Sequence, residues 1–129
     1  MILEELDDYL QTVLPALHVS LTGLPSEPPV RAVALIEQAG TAPIRLMASP
    51  LPVADHNRIQ VRNRAVDYVD ARADAYAVYR AFESIADRTL SGGHYFRVSA
   101  VQAPFPTGRD DRDRWLFSAN YDIWRAPDD

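Results

Sequence analysis

The chain has 129 residues, no cysteine and a formal net charge of −5, and its thirteen basic residues are all arginine. This length favours one domain, 1–129, and the lack of cysteine excludes disulfides and thiolate metal sites. A net-negative chain is also a poor candidate for a stand-alone duplex-DNA binder, because such proteins gain most of their affinity by neutralising phosphates.

The N-terminal segment, residues 2–14, is predicted to be an amphipathic helix that ends at Pro15. Its apolar residues recur at spacings of three and four. Its carboxylates lie near the N-terminus, where they complement the helix dipole. This acidic start is unlike a secretory signal, and no apolar run reaches the roughly 20 residues that a membrane span needs. We therefore expect synthesis in the cytoplasm and no membrane partner.

Four strands are predicted before the main helix. The pattern indicates a short strand at 17–21 and a longer one at 30–38, which is apolar on both faces as central strands are. Glycine and proline favour a loop over 39–56, with one short strand around 44–47. The run 57–67 alternates like a half-buried strand.

In that last strand, Ile59 and Val61 share one face, and Arg62 and Arg64 lie on the outer face. Two arginines on an exposed strand face suit contact with phosphate or with a neighbouring subunit. The sequence does not choose between these partners.

A long helix is predicted over residues 68–90. Asp67 is a suitable N-cap, with Asp70 in the capping-box position, and Ser91-Gly92-Gly93 is expected to end the helix. The apolar stripe recurs at helical spacing and comprises Ala71, Ala75, Val78, Phe82 and Ile85.

Two strands are expected to close the chain, at 94–102 and 114–125. In the first, Phe96, Val98 and Ala100 are expected to share a face. In the second, the buried face is predicted to hold Trp115, Phe117, Ala119, Tyr121 and Ile123. Together the elements predict an α+β fold, in which the 68–90 helix packs on one face of an antiparallel-rich sheet and an N-terminal helix completes the layer.

No constellation of catalytic residues emerges from the sequence. The three histidines lack metal-binding spacing, and no phosphate-binding glycine motif is present. In the run "RDDRDR" at 109–114, three carboxylates could bind Ca²⁺ or Mg²⁺. However, the interleaved arginines favour a loop whose charges pair with one another or are solvated. We predict no cofactor, no metal and no enzymatic activity.

Two runs fill most of the second half of the chain, "RIQVRNRAVDYVDARADAYAVYRAFESI" followed by "GGHYFRVSAVQAPFPTGRDDRDRWLFSANYDIWR". Together they resemble the tail-terminator and minor-capsid (neck) proteins of long-tailed bacteriophages. An arginine-containing strand at 60–65 leads into "DYVDA" at 67–71 and a long helix. The charged segment at 104–114 and the "NYDI" of 120–123 follow in the family's order and spacing.

The resemblance implies a structural virion protein, typically a hexameric ring, that caps the tail tube, ends its polymerisation and joins the tail to the head's neck. Its implied partners are other copies of the chain, the tail tube protein and a head-closure or connector protein, with DNA only passing through the lumen. The charges of 104–114 are expected to form a docking loop. The candidate interface comprises Arg62, Arg64, Arg109, Asp110, Asp111, Arg112, Asp113 and Arg114.

Three alternatives remain open at this stage. The protein could be another head–tail connector or head-closure component. A small nucleic-acid-binding module would show strongly salt-dependent DNA affinity. A small hydrolase or nuclease would need a metal and would lose activity when Asp110 or Asp111 is changed.

Overall fold

The structure is a computed structural model that describes residues 2–21, 23–24, 31–38, 44–45 and 52–127. Much of the segment between the first two predicted strands and of the predicted loop 39–56 lies outside these residues. The helices and strands of the described chain are α1 Ile2–Val13, β1 Val19–Ser20, β2 Ala32–Gln38, β3 Ile44–Arg45, β4 Pro52–Ala65, α2 Tyr68–Glu83, β5 Ala86–Leu90, β6 Gly93–Ala100, β7 Phe105–Arg109 and β8 Trp115–Arg125.

The strands form one mixed, mostly antiparallel sheet in the order β1-β2-β4-β8-β6-β5, with β3 paired to β4 and β7 to β8. Only the β1–β2 pair is parallel among the pairs seen. Helix α1 contacts β1 and β2 at one edge of the sheet and β5 at the other, so the sheet curls strongly around the helices. The predicted α+β fold is confirmed.

The core lies between the two helices and the concave face of the sheet. Helix α1 contributes Leu6 and Leu10, both fully buried, as its predicted spacing requires. The predicted buried face of β8 is seen from Phe117 to Ile123, which pack with the apolar stripe of α2, whereas Trp115 is only half-buried. Strand β2 is buried from Ala32 through Leu35 on both faces, which fits its position between β1 and β4.

The predicted end of the long helix is wrong. Helix α2 ends at Glu83, with Ser84 as its C-cap, and is about 24 Å long at 1.5 Å per residue. The chain then forms β5, which pairs with β6 through a tight turn. Ser91 and Gly92 have φ of 48° and 89°, and such a two-residue hairpin turn needs positive φ at both positions. The Ser-Gly pair therefore makes a hairpin instead of ending a helix.

Three smaller predictions also need correction. Strand β4 begins at Pro52, inside the predicted loop. Asp67 occupies the N-cap position, but its side chain makes no capping hydrogen bond. A β-bulge between Tyr95 and Arg97 inserts Phe96 as an extra residue, so Phe96 is 40% exposed while Tyr95 is buried with Val98.

A buried ion pair ties α1 to the last strand. The guanidinium of Arg125 donates to both carboxylate oxygens of Glu5, at 2.8 and 2.7 Å, and the hydroxyl of Tyr95 donates to Glu5 Oε1 at 2.7 Å. Burial by itself raises the pKa of the Glu5 carboxyl, but the bonds from Arg125 and Tyr95 outweigh it, so this pKa lies below its ordinary value. The pair thus fixes α1 across the curled sheet.

Tyr95 and Tyr121 are both fully buried, and removal of the hydroxyl group should affect the free energy of unfolding differently at the two positions. The Tyr121 hydroxyl has no hydrogen-bond partner within the described chain, so Tyr121→Phe should leave the free energy of unfolding unchanged or raise it. Tyr95→Phe, the matched control, should lower it by about 1.5–3 kcal/mol, because it removes a bond to a charged group. Urea unfolding of both variants measures this. A loss of more than about 1 kcal/mol in Tyr121→Phe would contradict it.

Candidate interaction surface

The predicted docking loop is a β-hairpin. Residues 105–109 form β7, which pairs with the first half of β8, and only 110–114 form the turn. All five residues of β7 are exposed. Pro106 is tolerated there because an edge strand has one side on which no N–H is needed. The segment is therefore a rigid projection from the sheet, and its charges have fixed positions.

Asp110 organises the turn. Its Oδ1 accepts backbone hydrogen bonds from Arg112 at 3.0 Å and Arg114 at 2.9 Å, and its Oδ2 accepts one from Arg114 Nε at 2.7 Å. Burial raises the pKa of the Asp110 carboxyl, but these bonds outweigh it and the net shift is downward. Asp113 closes the turn with φ of 61°, a conformation that aspartate tolerates.

The other charges of the turn are partly paired as well. Arg109 Nη1 lies 2.8 Å from Asp113 Oδ1, and its guanidinium carbon lies 4.5 Å from the centre of the Trp115 ring. Asp111 and Arg112 are exposed at the tip. The predicted pairing of charges within the loop is therefore seen between Asp110 and Arg114 and between Arg109 and Asp113, and the tip is exposed.

The two arginines predicted on the outer face of β4 have different environments. Arg62 is exposed and donates to the Gln60 side chain at 3.0 Å. Arg64 is only 3% exposed, which corrects the prediction that both face solvent. Burial, together with the nearby charge of Arg114, lowers the pKa of the Arg64 guanidinium. Arg64 therefore belongs to the base of the turn.

The candidate residues thus fall into two groups at one end of the sheet. Asp110 and Arg114 bond to each other within the turn and Arg64 is buried beside it, so replacing any of the three would perturb the fold. Arg62, Asp111 and Arg112 are exposed and can contact a partner. The Arg109–Asp113 pair lies between the groups, with both side chains at least half exposed.

A cavity of about 330 Å³ lies beside the hairpin on the outer face of the sheet. Arg62 borders it from β4, and Phe105, itself 40% exposed, borders it from β7. The remaining lining residues are Leu24, Gln60, Thr107, Leu116 and Ser118. This surface continues the exposed strand β7.

A second cluster on the outer face was not predicted from the sequence. Arg58 pairs with Asp122 at 2.8 and 3.2 Å, and the ring of His56 stacks on Trp124 with centroids 4.6 Å apart. The hydrogen bonds from Arg58 lower the pKa of the Asp122 carboxyl. These residues are opposite one another in the antiparallel register of β4 and β8. The sequence shows that both strands alternate, but it does not give the register that places Arg58 opposite Asp122 and His56 opposite Trp124.

Over the described ranges, no group of three or more histidine, aspartate or glutamate side chains is placed to hold a metal ion. In the same part of the chain, no helix is long and apolar enough to cross a membrane.

Solved structures of other proteins have a similar fold. A chain from the virion of a native gene transfer agent particle superposes with a TM-score of 0.65 at 16% identity, covering 98% of this chain and 92% of the other. A second solved chain gives a TM-score of 0.54 at 18% identity, with 98% and 93% covered. Comparison with curated proteins gives no significant match.

Residues 10–125 match the family model described as bacteriophage tail terminator protein, and the chain belongs to that family. The protein is therefore a structural component of a phage-type virion tail. The match covers the last turn of α1, the whole of α2 and the whole β7–β8 hairpin, so the resemblance seen in the sequence is confirmed.

Proposed function

We propose that the protein forms a homo-oligomeric ring, a hexamer, that caps the tail tube, ends tube polymerisation and joins the tail to the head's neck. The observation that carries this proposal is the family match over residues 10–125. In this role the protein contacts other copies of itself, the tail tube protein and a head-closure or connector protein. It is made in the host cytoplasm, performs no catalysis and lets DNA pass through its lumen.

Two physical features support a ring around DNA. A subunit with a net charge of −5 favours passage of DNA over binding it, because its field repels phosphates. A ring also needs heterologous contacts, in which two different surfaces of the subunit meet. The exposed hairpin provides one such surface on a rigid base.

Within this proposal, the tip of the β7–β8 hairpin docks on a neighbouring subunit or ring. Replacing Asp111 and Arg112 together with alanine should leave the unfolding transition unchanged and reduce tube capping at least about tenfold, since a loss of about 1.4 kcal/mol of contact energy gives that factor. Capping is measured as the fraction of tube ends that stop growing. Glu37→Ala, an exposed carboxylate on β2, is the control. Normal capping by the tip variant would exclude the docking role.

The function itself is tested by adding the protein to its cognate tail tube protein during polymerisation. Electron microscopy of the tubes should show shorter tubes with a ring at one end, in proportion to the amount added. Tubes of unchanged length with bare ends would reject tube termination and favour the alternative role in head closure.

A further inference from the structure

The exposed side of α2 carries a stripe of two arginines with a tyrosine between them. Arg72, Tyr76 and Arg80 recur at a spacing of four, so they lie one above another on the helix surface. Both arginines are exposed. Their guanidinium carbons lie 4.5 and 6.0 Å from the centre of the Tyr76 ring, so the two charges converge over one aromatic ring.

The carboxylates of the same helix are engaged elsewhere. Asp74 is buried and accepts two hydrogen bonds from Arg31, at 2.7 and 2.8 Å, and Asp70 lies 4.0 Å from the same arginine. Glu83 accepts the backbone N–H of Ala100 at 2.6 Å. Within the described chain, Arg72 and Arg80 therefore have no carboxylate partner and are held only against Tyr76.

Such a stripe has the chemistry of an interface. Tyrosine and arginine are the side chains most enriched among residues that dominate binding energy. The neighbouring Ala73 is small and exposed, which permits close approach, and Val69, 74% exposed, adds apolar area one turn away. The surface suits an acidic partner with carboxylates spaced closely enough to meet both guanidinium groups.

The chain itself carries such a surface on α1. Glu4 and Asp8 are exposed and lie one turn, about 6 Å, apart along the helix. The hydrogen bonds seen between the α1 side chains and the end of α2 come from Tyr9, whose hydroxyl contacts the Ala81 carbonyl at 3.2 Å and Ser84 Oγ at 3.1 Å. The acidic surface and the arginine stripe are therefore separate surfaces of one subunit.

We propose that the Arg72–Tyr76–Arg80 stripe of one copy docks on Glu4 and Asp8 of the next copy, an inference that rests on the proposed ring. Two different complementary surfaces make a head-to-tail contact, which generates a ring when the rotation closes. Charge complementarity of this kind sets the register and the choice of partner. The hairpin tip then remains available for the ring above or below.

The test uses two charge-reversed variants of the full chain. Arg72→Glu with Arg80→Glu reverses the stripe, and Glu4→Arg with Asp8→Arg reverses the acidic surface. Each variant alone should lose ring assembly on tail tube ends by at least about tenfold. An equimolar mixture should recover it, because every contact in an alternating ring is then again between opposite charges. Arg97→Glu, an exposed arginine on β6, is the control for charge reversal.

The outcomes separate this inference from the proposed function. Wild-type rings with unimpaired single variants, or no recovery in the mixture, would overturn the α2–α1 contact and leave the ring proposal standing. Wild-type protein that neither forms rings nor caps tubes would overturn both. Salt-dependent binding of duplex DNA that disappears in the stripe variant would show that the stripe binds phosphates, and would also overturn the contact.

Discussion

Replacing Arg125 with methionine should lower the free energy of unfolding by about 3–5 kcal/mol, since removal of one partner of a buried ion pair leaves the other charge buried without compensation. The side chains of Arg125 and Glu5 are only 5% and 8% exposed. Methionine fills much of the volume of arginine, so the loss of stability reflects the unpaired charge of Glu5 more than the creation of a cavity. Urea unfolding followed by circular dichroism measures it.

The double variant Glu5→Leu with Arg125→Met is the matched control. It removes both charges and leaves an apolar contact between α1 and β8, so it should be more stable than Arg125→Met, although the buried Tyr95 hydroxyl then lacks its acceptor and keeps it below the wild type. A single variant as stable as the wild type, or a double variant no better than the single one, would contradict the role given to this pair.

The same ion pair makes stability depend on pH. The folded chain holds the Glu5 carboxyl at a pKa below its ordinary value of 4.5, so the folded state binds this proton less readily than the unfolded state. The stabilisation is therefore present above about pH 4.5 and is lost as the pH falls through the folded pKa. The Asp110 and Asp122 carboxyls, whose pKa values are also lowered, act in the same direction. The Glu5→Leu and Arg125→Met double variant should show a shallower loss of stability in acid.

Gly93→Ala should be the second most disruptive change, lowering the free energy of unfolding by about 3 kcal/mol, at the upper end of what overpacking costs. A Cβ at position 93 would lie 2.6 Å from Arg125 Nη2 and 2.8 Å from Arg125 Nε, and closer still to Glu5 Oε1. Side-chain ends usually move aside at little cost, but these two are locked in the buried ion pair. The methyl group must therefore separate the pair or displace β6.

The neighbouring Gly92 supplies the control. Nothing lies within 4 Å of a Cβ at position 92, so Gly92→Ala costs only the strain of its φ of 89°, about 1–2 kcal/mol. The effect of Gly93→Ala should also shrink when Glu5 is replaced with alanine, because sites in contact are not additive. Equal losses in the two glycine variants, or full additivity with Glu5→Ala, would refute the steric explanation.

Periodicity in the sequence was sufficient for much of the fold. The stripe of α1 and the alternation of β8 each identify a buried face without ambiguity, because a single period persists over the whole element. The same reasoning failed for the end of α2. Ile85 and Leu90 continue the helical spacing and are buried, yet they lie beyond Glu83, where pairing of β5 with β6 replaces the helix. The spacing of apolar residues within one segment does not show whether that segment pairs with another strand.

The candidate surface was predicted less well than the fold. The run 109–114 was recognised as charged and partly self-paired, but its division into a buried base and an exposed tip depends on how the turn packs against Arg64. The Arg72–Tyr76–Arg80 stripe could not be predicted from the sequence. Arg72 and Arg80 resemble an ordinary solvated helix face, and only the structure shows that Asp74 binds Arg31 instead of them. Which charge lacks a partner is a property of the tertiary structure.

We propose that the subunits close into a ring on the tail tube, and light scattering after gel filtration tests this most directly, on the protein alone and after mixing with its cognate tail tube protein. We expect either a species of about six times the chain mass of 14.4 kDa, or a monomer that becomes a sixfold species bound to tube ends on mixing. A protein that stays monomeric and does not associate with tubes would contradict it.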